Sequence, residues 1–135
     1  MKILIAEDDL TCQTFLQRCL GTFGECDVAE DGIEAIAAFS EAFDECQRYD
    51  LVCLDIMMPR RSGLDVLQSI RVLEAEHGVT GGDAVKVIMT TALAGSSYCE
   101  EASRGEVAAY LVKPFEKHKF LKEIEKLGFV PSRVE

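Results

Sequence analysis

The chain has 135 residues, 48% of them hydrophobic and 28% charged, which fits one ordinary globular domain and excludes a disordered chain. Twenty-four acidic and fourteen basic residues give a net charge of −10, and no basic stripe could neutralise phosphates, so direct nucleic-acid binding is not expected. The longest apolar runs have four or five residues, far fewer than the ~20 of a membrane-spanning helix, so we expect a cytoplasmic protein without membrane contact.

Short apolar runs alternate with segments of helical periodicity along the chain. The runs predict strands at residues 3–6, 26–29, 51–54, 85–89 and 108–112, of which the second is the weakest. Helices are predicted around apolar stripes at residues 12–23, 36–46 and 66–73, in a polar segment at 96–103, and at 116–127. Five strands that alternate with five helices specify an α/β fold, in which helices cover both faces of a parallel sheet.

Six cysteines, at positions 12, 19, 26, 46, 53 and 99, raise the alternatives of disulfides and of a zinc site. No Cys-x-x-Cys pair occurs, and both histidines are remote from any cysteine in sequence, so the spacing does not favour zinc. Cys12 and Cys19 stand on an apolar helical stripe, as does Cys46 on the next one. This pattern predicts buried thiols that pack as small hydrophobic groups.

Polar side chains stand at the ends of four predicted strands. In a parallel sheet with right-handed crossovers, the carboxyl ends of all strands share one edge, where ligands bind. The residues at these ends are Glu7, Asp8, Asp9, Asp55, Thr90, Thr91 and Lys113. Asp55 lies between two apolar runs and is therefore expected to be at least partly buried. Asp9 has a second interpretation, as the N-cap of the first helix.

Three carboxylates at one edge would repel one another and raise one another's pKa values unless a cation compensates them. Sparse oxygen ligation suits Mg²⁺ better than Ca²⁺. No Walker or Gly-x-Gly-x-x-Gly sequence is present, so the cation is not expected to serve a bound nucleotide. A carboxylate beside Mg²⁺ and a lysine ammonium is an arrangement that can accept a phosphoryl group.

Four ordered motifs resemble the receiver domain of bacterial two-component response regulators. They are Ile-Leu-Ile-Ala-Glu-Asp-Asp at 3–9, Asp-Leu-Val-Cys-Leu-Asp-Ile-Met-Met-Pro at 50–59, Val-Ile-Met-Thr-Thr-Ala at 87–92 and Ala-Tyr-Leu-Val-Lys-Pro-Phe at 109–115. The resemblance implies a flavodoxin-like three-layer sandwich with sheet order 2-1-3-4-5. We expect one receiver domain at residues 1–130 and a short tail at 131–135, that is, a stand-alone receiver of the chemotaxis kind.

The resemblance assigns a role to each residue of the acidic site. Asp55 matches the phospho-acceptor of the family. Asp8 matches the direct ligand of Mg²⁺, for which Mn²⁺ can substitute, and Glu7 is expected to act on the metal through water. Met57 matches the position whose backbone carbonyl binds the metal, although its side chain could also be core filler.

Three further positions match the parts of a receiver that respond to the phosphoryl group. Thr91 matches the switch hydroxyl and Lys113 the lysine of the site, with a Lys113–Pro114 bond that is cis in the family. Tyr110 matches the aromatic switch, although alone it would be interpreted as a strand aromatic at the sheet edge.

The function implied is that of a response regulator that takes a phosphoryl group from a sensor histidine kinase or histidine phosphotransfer protein. It would then bind a downstream protein through the predicted fourth helix, fifth strand and fifth helix, as a monomer or weak phosphorylation-dependent dimer. It would not be an enzyme beyond Mg²⁺-dependent autophosphorylation from phosphodonors and slow self-dephosphorylation.

Two other functional classes are alternatives to this function. A phosphatase of the haloacid dehalogenase kind needs an acid two residues after the nucleophile, where this chain has Met57. A phosphorylation-independent scaffold on the same fold would be expected to have lost site residues, and none is missing from the sequence.

Overall fold

The computed structural model describes residues 1–58, 60–92 and 107–131. Five strands form one sheet in the order β2-β1-β3-β4-β5, and every neighbouring pair is parallel. The strands are β1 (Lys2–Ala6), β2 (Glu25–Ala29), β3 (Leu51–Asp55), β4 (Lys86–Thr91) and β5 (Ala109–Val112). The predicted class, strand order and direction are therefore confirmed.

Four α-helices lie within the described residues. They are α1 (Leu10–Leu20), α2 (Gly32–Asp44), α3 (Gly63–Glu76) and a C-terminal helix (Lys117–Lys126), with a 3₁₀ turn at Gly81–Asp83. Five helices were predicted, and the fourth of them, at residues 96–103, falls outside the described residues. Of the helices that are described, none combines the length and the apolar character that crossing a membrane would require.

The core consists of one hydrophobic cluster on each face of the sheet. Leu4 of β1 packs with Phe39 of α2 and Ile70 of α3 on one face. Ile3 packs with Leu16 of α1 and Ile124 of the C-terminal helix on the other. Because side chains alternate along a strand, β1 buries residues on both faces, which explains why its sequence is continuously apolar.

Side-chain caps fix where three of the helices begin. Asp9 accepts a hydrogen bond from the Cys12 N–H at 2.9 Å, which confirms the N-cap interpretation of Asp9. Asp31 caps α2 in the same way, with the Glu34 N–H at 2.9 Å, and Ser62 caps α3. Such caps contribute about 1 kcal/mol each, and the Asp9 cap places the start of α1 directly after the acidic residues that follow β1.

The prediction that Cys46 is buried on the stripe of α2 is wrong. The helix ends at Asp44, and Cys46 is exposed with a left-handed φ of 56°. Cys19 and Cys53 are buried as predicted, Cys12 and Cys26 are half-buried, and Cys99 lies outside the described residues. The five described cysteines are all free thiols.

Candidate functional site

The carboxyl edge of the sheet brings the predicted site residues together. Glu7 directly follows β1, Asp55 ends β3, Thr91 ends β4 and Lys113 directly follows β5. The register pairs Asp55 with Thr90 across β3 and β4. β4 runs two residues beyond the predicted strand, so both threonines lie within it and are fully buried.

Lys113 joins the two buried carboxylates of this edge. Its Nζ donates to Oε1 of Glu7 at 2.6 Å and to Oδ2 of Asp55 at 3.2 Å. Glu7 is 0% exposed and Asp55 is 5% exposed, so these charges interact largely away from water. Removing the ammonium would leave two carboxylates buried beside each other, which is strongly unfavourable.

Backbone groups fix the orientation of both carboxylates. Oε2 of Glu7 accepts from the Asp9 N–H at 3.1 Å. Oδ1 of Asp55 accepts from the Met57 N–H at 3.1 Å, while its other oxygen faces Lys113. Each carboxylate is therefore held at both oxygens before any ligand arrives.

Gln13 is a site residue that the sequence analysis missed. Its side-chain amide is buried and donates to the backbone carbonyl of Glu7 at 2.7 Å. The sequence pattern could have indicated this residue, because Gln13 stands three residues before Leu16 and seven before Leu20, on the buried stripe of α1. An amide on an apolar stripe needs a partner, and here the partner is the strand end that carries Glu7.

The three charged groups shift one another's pKa values in different directions. Burial and the neighbouring Glu7 raise the pKa of Asp55 to about 7, although Lys113 partly offsets this. Burial alone would raise the pKa of Glu7, but the hydrogen bonds from Lys113 and the Asp9 N–H lower it below its usual value. Burial disfavours the Lys113 ammonium, yet its carboxylate partners hold the pKa of Lys113 above its usual range. Lys113 thus pairs more closely with Glu7, at 2.6 Å, than with Asp55, at 3.2 Å, and Asp55 is the less compensated of the two carboxylates.

The donor set fits a hard divalent cation. Carboxylate oxygens of Glu7, Asp8 and Asp55 lie within 4.8 Å of one another, and Asp8 is exposed at the rim. Oxygen ligands in small number, with room for water on the exposed side, are typical of Mg²⁺. These three residues could hold the ion, and the prediction that Asp8 and Asp55 bind it directly while Glu7 acts through water stays a prediction. The role of the Met57 carbonyl stays a prediction, and the Met57 side chain is 52% exposed rather than in the core.

Thr91 and Tyr110 lie on the neighbouring strands β4 and β5. Thr91 is fully buried, and its carbonyl accepts from the Lys113 N–H at 2.7 Å. Tyr110 is half-buried and packs against the core cluster on the α2 and α3 face. The Lys113–Pro114 bond is cis, as the resemblance implies. The switch roles of Thr91 and Tyr110 stay predictions.

The raised pKa of Asp55 predicts a pH dependence of stability without metal. A carboxyl group whose pKa is about 7 in the folded state and about 4 in the unfolded state stabilises the fold at low pH. That contribution is lost as pH rises from about 4 to about 7. Urea unfolding in EDTA should therefore show a free energy of unfolding that falls more between these pH values in the wild type than in Asp55→Asn. Parallel pH profiles would contradict the assignment.

The rim position of Asp8 predicts a specific loss of metal binding. Asp8→Ala should weaken Mg²⁺ binding by about an order of magnitude or more, because it removes a direct ligand from a cation that has few. Isothermal titration calorimetry would measure this. Asp9→Ser is the matched control, since it removes a neighbouring charge but keeps an N-cap oxygen. Equal affinities for Asp8→Ala and Asp9→Ser would show that only net charge matters.

Comparison with curated proteins finds relatives of different lengths. The chain is 28% identical over 128 residues to the chemotaxis protein CheY of Listeria monocytogenes, covering 93% of this chain and 97% of that protein. It is 31% identical over 130 residues to the response regulator MprA of a Mycobacterium species, covering 94% of this chain but 50% of that protein. It is 32% identical over 114 residues to hybrid signal transduction histidine kinase I of Dictyostelium discoideum, covering 84% of this chain and 6% of that protein. The chain thus spans half or less of the length of the last two proteins.

Comparison with solved structures agrees with the fold. The receiver domain of a Pseudomonas aeruginosa sensor histidine kinase, solved with a magnesium ion coordinated in the active site cleft, matches with 25% identity and a TM-score of 0.74, covering 93% of this chain and 94% of that one. The CheX–CheY–BeF₃–Mg²⁺ complex from Borrelia burgdorferi matches with 24% identity and a TM-score of 0.79, covering 95% and 89%. The family model of the response regulator receiver domain matches residues 3–125. The chain therefore belongs to the response regulator receiver domain family.

Proposed function

We propose that Asp55 accepts a phosphoryl group from a phosphohistidine of a sensor kinase or phosphotransfer protein, and that the acyl phosphate changes a surface that binds a downstream protein. The observation that carries this proposal is the placement of Lys113 Nζ between Glu7 and Asp55. The ammonium contacts one oxygen of a buried carboxylate, close to where the equatorial oxygens of a transferring phosphoryl group would need a positive charge. The protein would act in this way in the cytoplasm.

The transfer uses the side chains of this edge in defined roles. A carboxylate oxygen of Asp55 attacks phosphorus, the P–N bond of the donor breaks, and the imidazole nitrogen leaves with the electron pair and takes up a proton. Lys113 balances the charge of the phosphoryl oxygens, and Glu7 keeps Lys113 in place. A bound Mg²⁺ would supply further charge stabilisation at the same oxygens.

A foreign phosphoester is a poor substrate for this arrangement. Hydrolysis through an aspartyl phosphate needs a proton donor for the leaving alcohol, which phosphatases of the haloacid dehalogenase kind supply two residues after the nucleophile. Here that residue is Met57, whose side chain cannot donate a proton. We therefore propose phosphoryl acceptance and slow self-dephosphorylation without turnover of other esters.

Acetyl phosphate with Mg²⁺ provides the direct test. Intact-mass spectrometry of the wild type should show one added phosphoryl group, stable in acid and labile in base. Omitting Mg²⁺ in EDTA should prevent the addition, and p-nitrophenyl phosphate should not be hydrolysed. No mass increase with acetyl phosphate and with a phosphorylated histidine phosphotransfer protein would refute the proposal.

The variant Thr91→Ala is expected to separate phosphorylation from the change in partner affinity that follows it. Thr91→Ala should still accept phosphate but should fail to change partner affinity, since it lacks the hydroxyl that gains a charge-assisted hydrogen bond to the phosphoryl group. A pull-down in both phosphorylation states would measure this. Thr90→Ala is the matched control, because Thr90 is the neighbouring threonine, is equally buried and donates its hydroxyl to the Leu54 carbonyl at 3.4 Å. Normal signalling by Thr91→Ala would reject the switch role.

The surface that responds is expected beside β5. The C-terminal helix and β5 line a cavity that includes Tyr110, Val112 and Lys122. Val112 is exposed although apolar, which suits a protein partner. The predicted fourth helix, which would complete this face, lies outside the described residues.

A further inference from the structure

The segment between β3 and α3 controls one oxygen of Asp55. We call residues 56–62 the acceptor loop; residue 59 lies outside the described residues. Within the loop, the Met57 N–H donates to Oδ1 of Asp55. The direction of that N–H depends on the loop backbone, so the loop conformation sets how the carboxylate faces Lys113 and an incoming ligand.

The acceptor loop is anchored at both ends by close backbone approach. Its start is tied to the sheet by the Ile56 N–H, which donates to the Thr90 carbonyl at 2.9 Å. Directly after the loop, Gly63 passes so near the carbonyl of Asp55 that a Cβ on Gly63 would collide with it. Near the end of the loop, Arg61 lies so close to α2 that a Cβ on Gly32 would collide with the Arg61 carbonyl. The second half of the loop therefore contacts the N-terminus of α2.

Arg60 makes the side-chain contact between the acceptor loop and α2. Its Nη1 lies 3.2 Å from Oδ2 of Asp31, whose side chain is 10% exposed, against 59% for Arg60. The other oxygen of Asp31 is occupied by the Glu34 N–H. The α2 cap thus offers a fixed, largely buried carboxylate oxygen to the loop.

The backbone at Arg60 is in an unfavourable conformation. Its φ is 69°, in the left-handed region where glycine and asparagine are common and long side chains are not. Such a conformation persists when the surrounding contacts determine it. A glycine at position 60 would adopt this φ more easily, but it could not form the ion pair with Asp31. Arg60 therefore combines an unfavourable backbone conformation with a side-chain contact to α2.

We propose that Arg60 is a positioning residue, whose ion pair with Asp31 holds the acceptor loop so that the Met57 N–H keeps the Asp55 carboxylate oriented for divalent-cation binding and phosphoryl acceptance. This inference rests on the proposed function and extends it to two residues outside the acidic site. It couples the N-terminus of α2 to the reacting carboxylate through the loop.

Positioning and simple electrostatics predict opposite effects of removing Arg60. A guanidinium near the site repels a divalent cation, so deleting its charge should tighten Mg²⁺ binding if charge alone matters. If Arg60 positions the loop, the same deletion should weaken Mg²⁺ binding. Arg60→Asn suits the test, because asparagine tolerates the left-handed φ but cannot reach Asp31.

Arg61→Asn is the matched control for charge. Arg61 is the next residue of the loop, is exposed and forms no ion pair among the described residues. Arg60→Lys keeps the charge and the reach. Asp31→Asn removes the partner charge but keeps a side chain that caps helices well. The double variant Asp31→Asn/Arg60→Asn completes a cycle with the two single variants.

Mg²⁺ affinity, the Met57 amide shift and the melting temperature are measured on the purified proteins. Calorimetry gives Mg²⁺ affinity, and the ¹⁵N–¹H shift of the Met57 amide without metal reports its hydrogen bond to Asp55. We expect Arg60→Asn to weaken Mg²⁺ binding about threefold to tenfold, to shift the Met57 amide, and to leave the melting temperature within a few degrees of the wild type. Arg60→Lys should recover most of the affinity, and Arg61→Asn should bind Mg²⁺ as well as the wild type or more tightly.

The double-mutant cycle shows whether Arg60 and Asp31 affect Mg²⁺ binding through their ion pair or independently of each other. Asp31→Asn in the Arg60→Asn background should add little, since the pair is already broken. Mg²⁺ binding by Arg60→Asn that equals that of Arg61→Asn, or additive losses in the double variant, would overturn the positioning role while the proposed function stands. A wild type that neither binds Mg²⁺ nor accepts phosphate would overturn both.

Discussion

Asp55→Asn is expected to abolish phosphorylation completely. The amide keeps the size of the side chain and an oxygen for Lys113, but its oxygen is not a nucleophile that can form a stable acyl phosphate. Intact-mass spectrometry after acetyl phosphate and Mg²⁺ should show no phosphoryl group on this variant. Asp65→Asn, which removes an exposed carboxylate in the first turn of α3, should take up phosphate as the wild type does.

The uniqueness of Asp55 follows from its surroundings. Among the described carboxylates, it combines burial, contact with Lys113 and a pKa raised to about 7. Phosphate found by peptide mapping on any other residue of the wild type would contradict the assignment, even if Asp55→Asn were inactive.

Lys113→Met should have the largest effect on stability. The variant leaves Glu7 fully buried beside Asp55 without a positive partner, which should lower the free energy of unfolding by about 3 kcal/mol in EDTA at pH 8. Mg²⁺ should restore part of this loss, because the cation compensates the same carboxylates. Phosphorylation should be slower by about a hundredfold or more, since the charge opposite the phosphoryl oxygens is gone.

The control for Lys113→Met is Lys122→Met on the C-terminal helix. Lys122 is exposed and forms no ion pair among the described residues, so its loss should change stability by less than about 0.5 kcal/mol. Urea unfolding of both variants with and without Mg²⁺ gives the comparison. A Lys113→Met variant as stable as Lys122→Met in EDTA would show that Glu7 finds another partner.

Much of the fold follows from local sequence patterns. The apolar runs of β1 and β3 and the N-caps Asp9 and Asp31 locate elements without tertiary information, because each depends on neighbouring residues alone. The common edge of a parallel sheet then places Asp55 near Lys113, although they are 58 positions apart. The grouping of the acidic residues and Lys113 at one sheet edge could therefore be predicted from the sequence alone.

The features that the sequence analysis missed depend on contacts between distant residues or on where a helix ends. Glu74 is 1% exposed because it accepts the Val85 N–H at 2.6 Å and pairs with Arg71, and neither the burial nor the Val85 partner is visible in a helical pattern. Arg60 and Asp31 are 29 positions apart in sequence. The left-handed backbone of Arg60 that accompanies their contact is not predicted by a turn motif in the sequence. Cys46 was misplaced because periodicity does not show where a helix ends.

The separation of Glu7 and Lys113 by 106 positions has a consequence during protein synthesis. The acidic residues leave the ribosome early, but the ammonium that compensates them follows β5, after the rest of the sheet has been made. A nascent or truncated chain that lacks β5 therefore has Glu7 and Asp55 without the Lys113 ammonium. We expect such a chain not to accept a phosphoryl group, so the proposed phosphorylation of Asp55 would require the complete sheet.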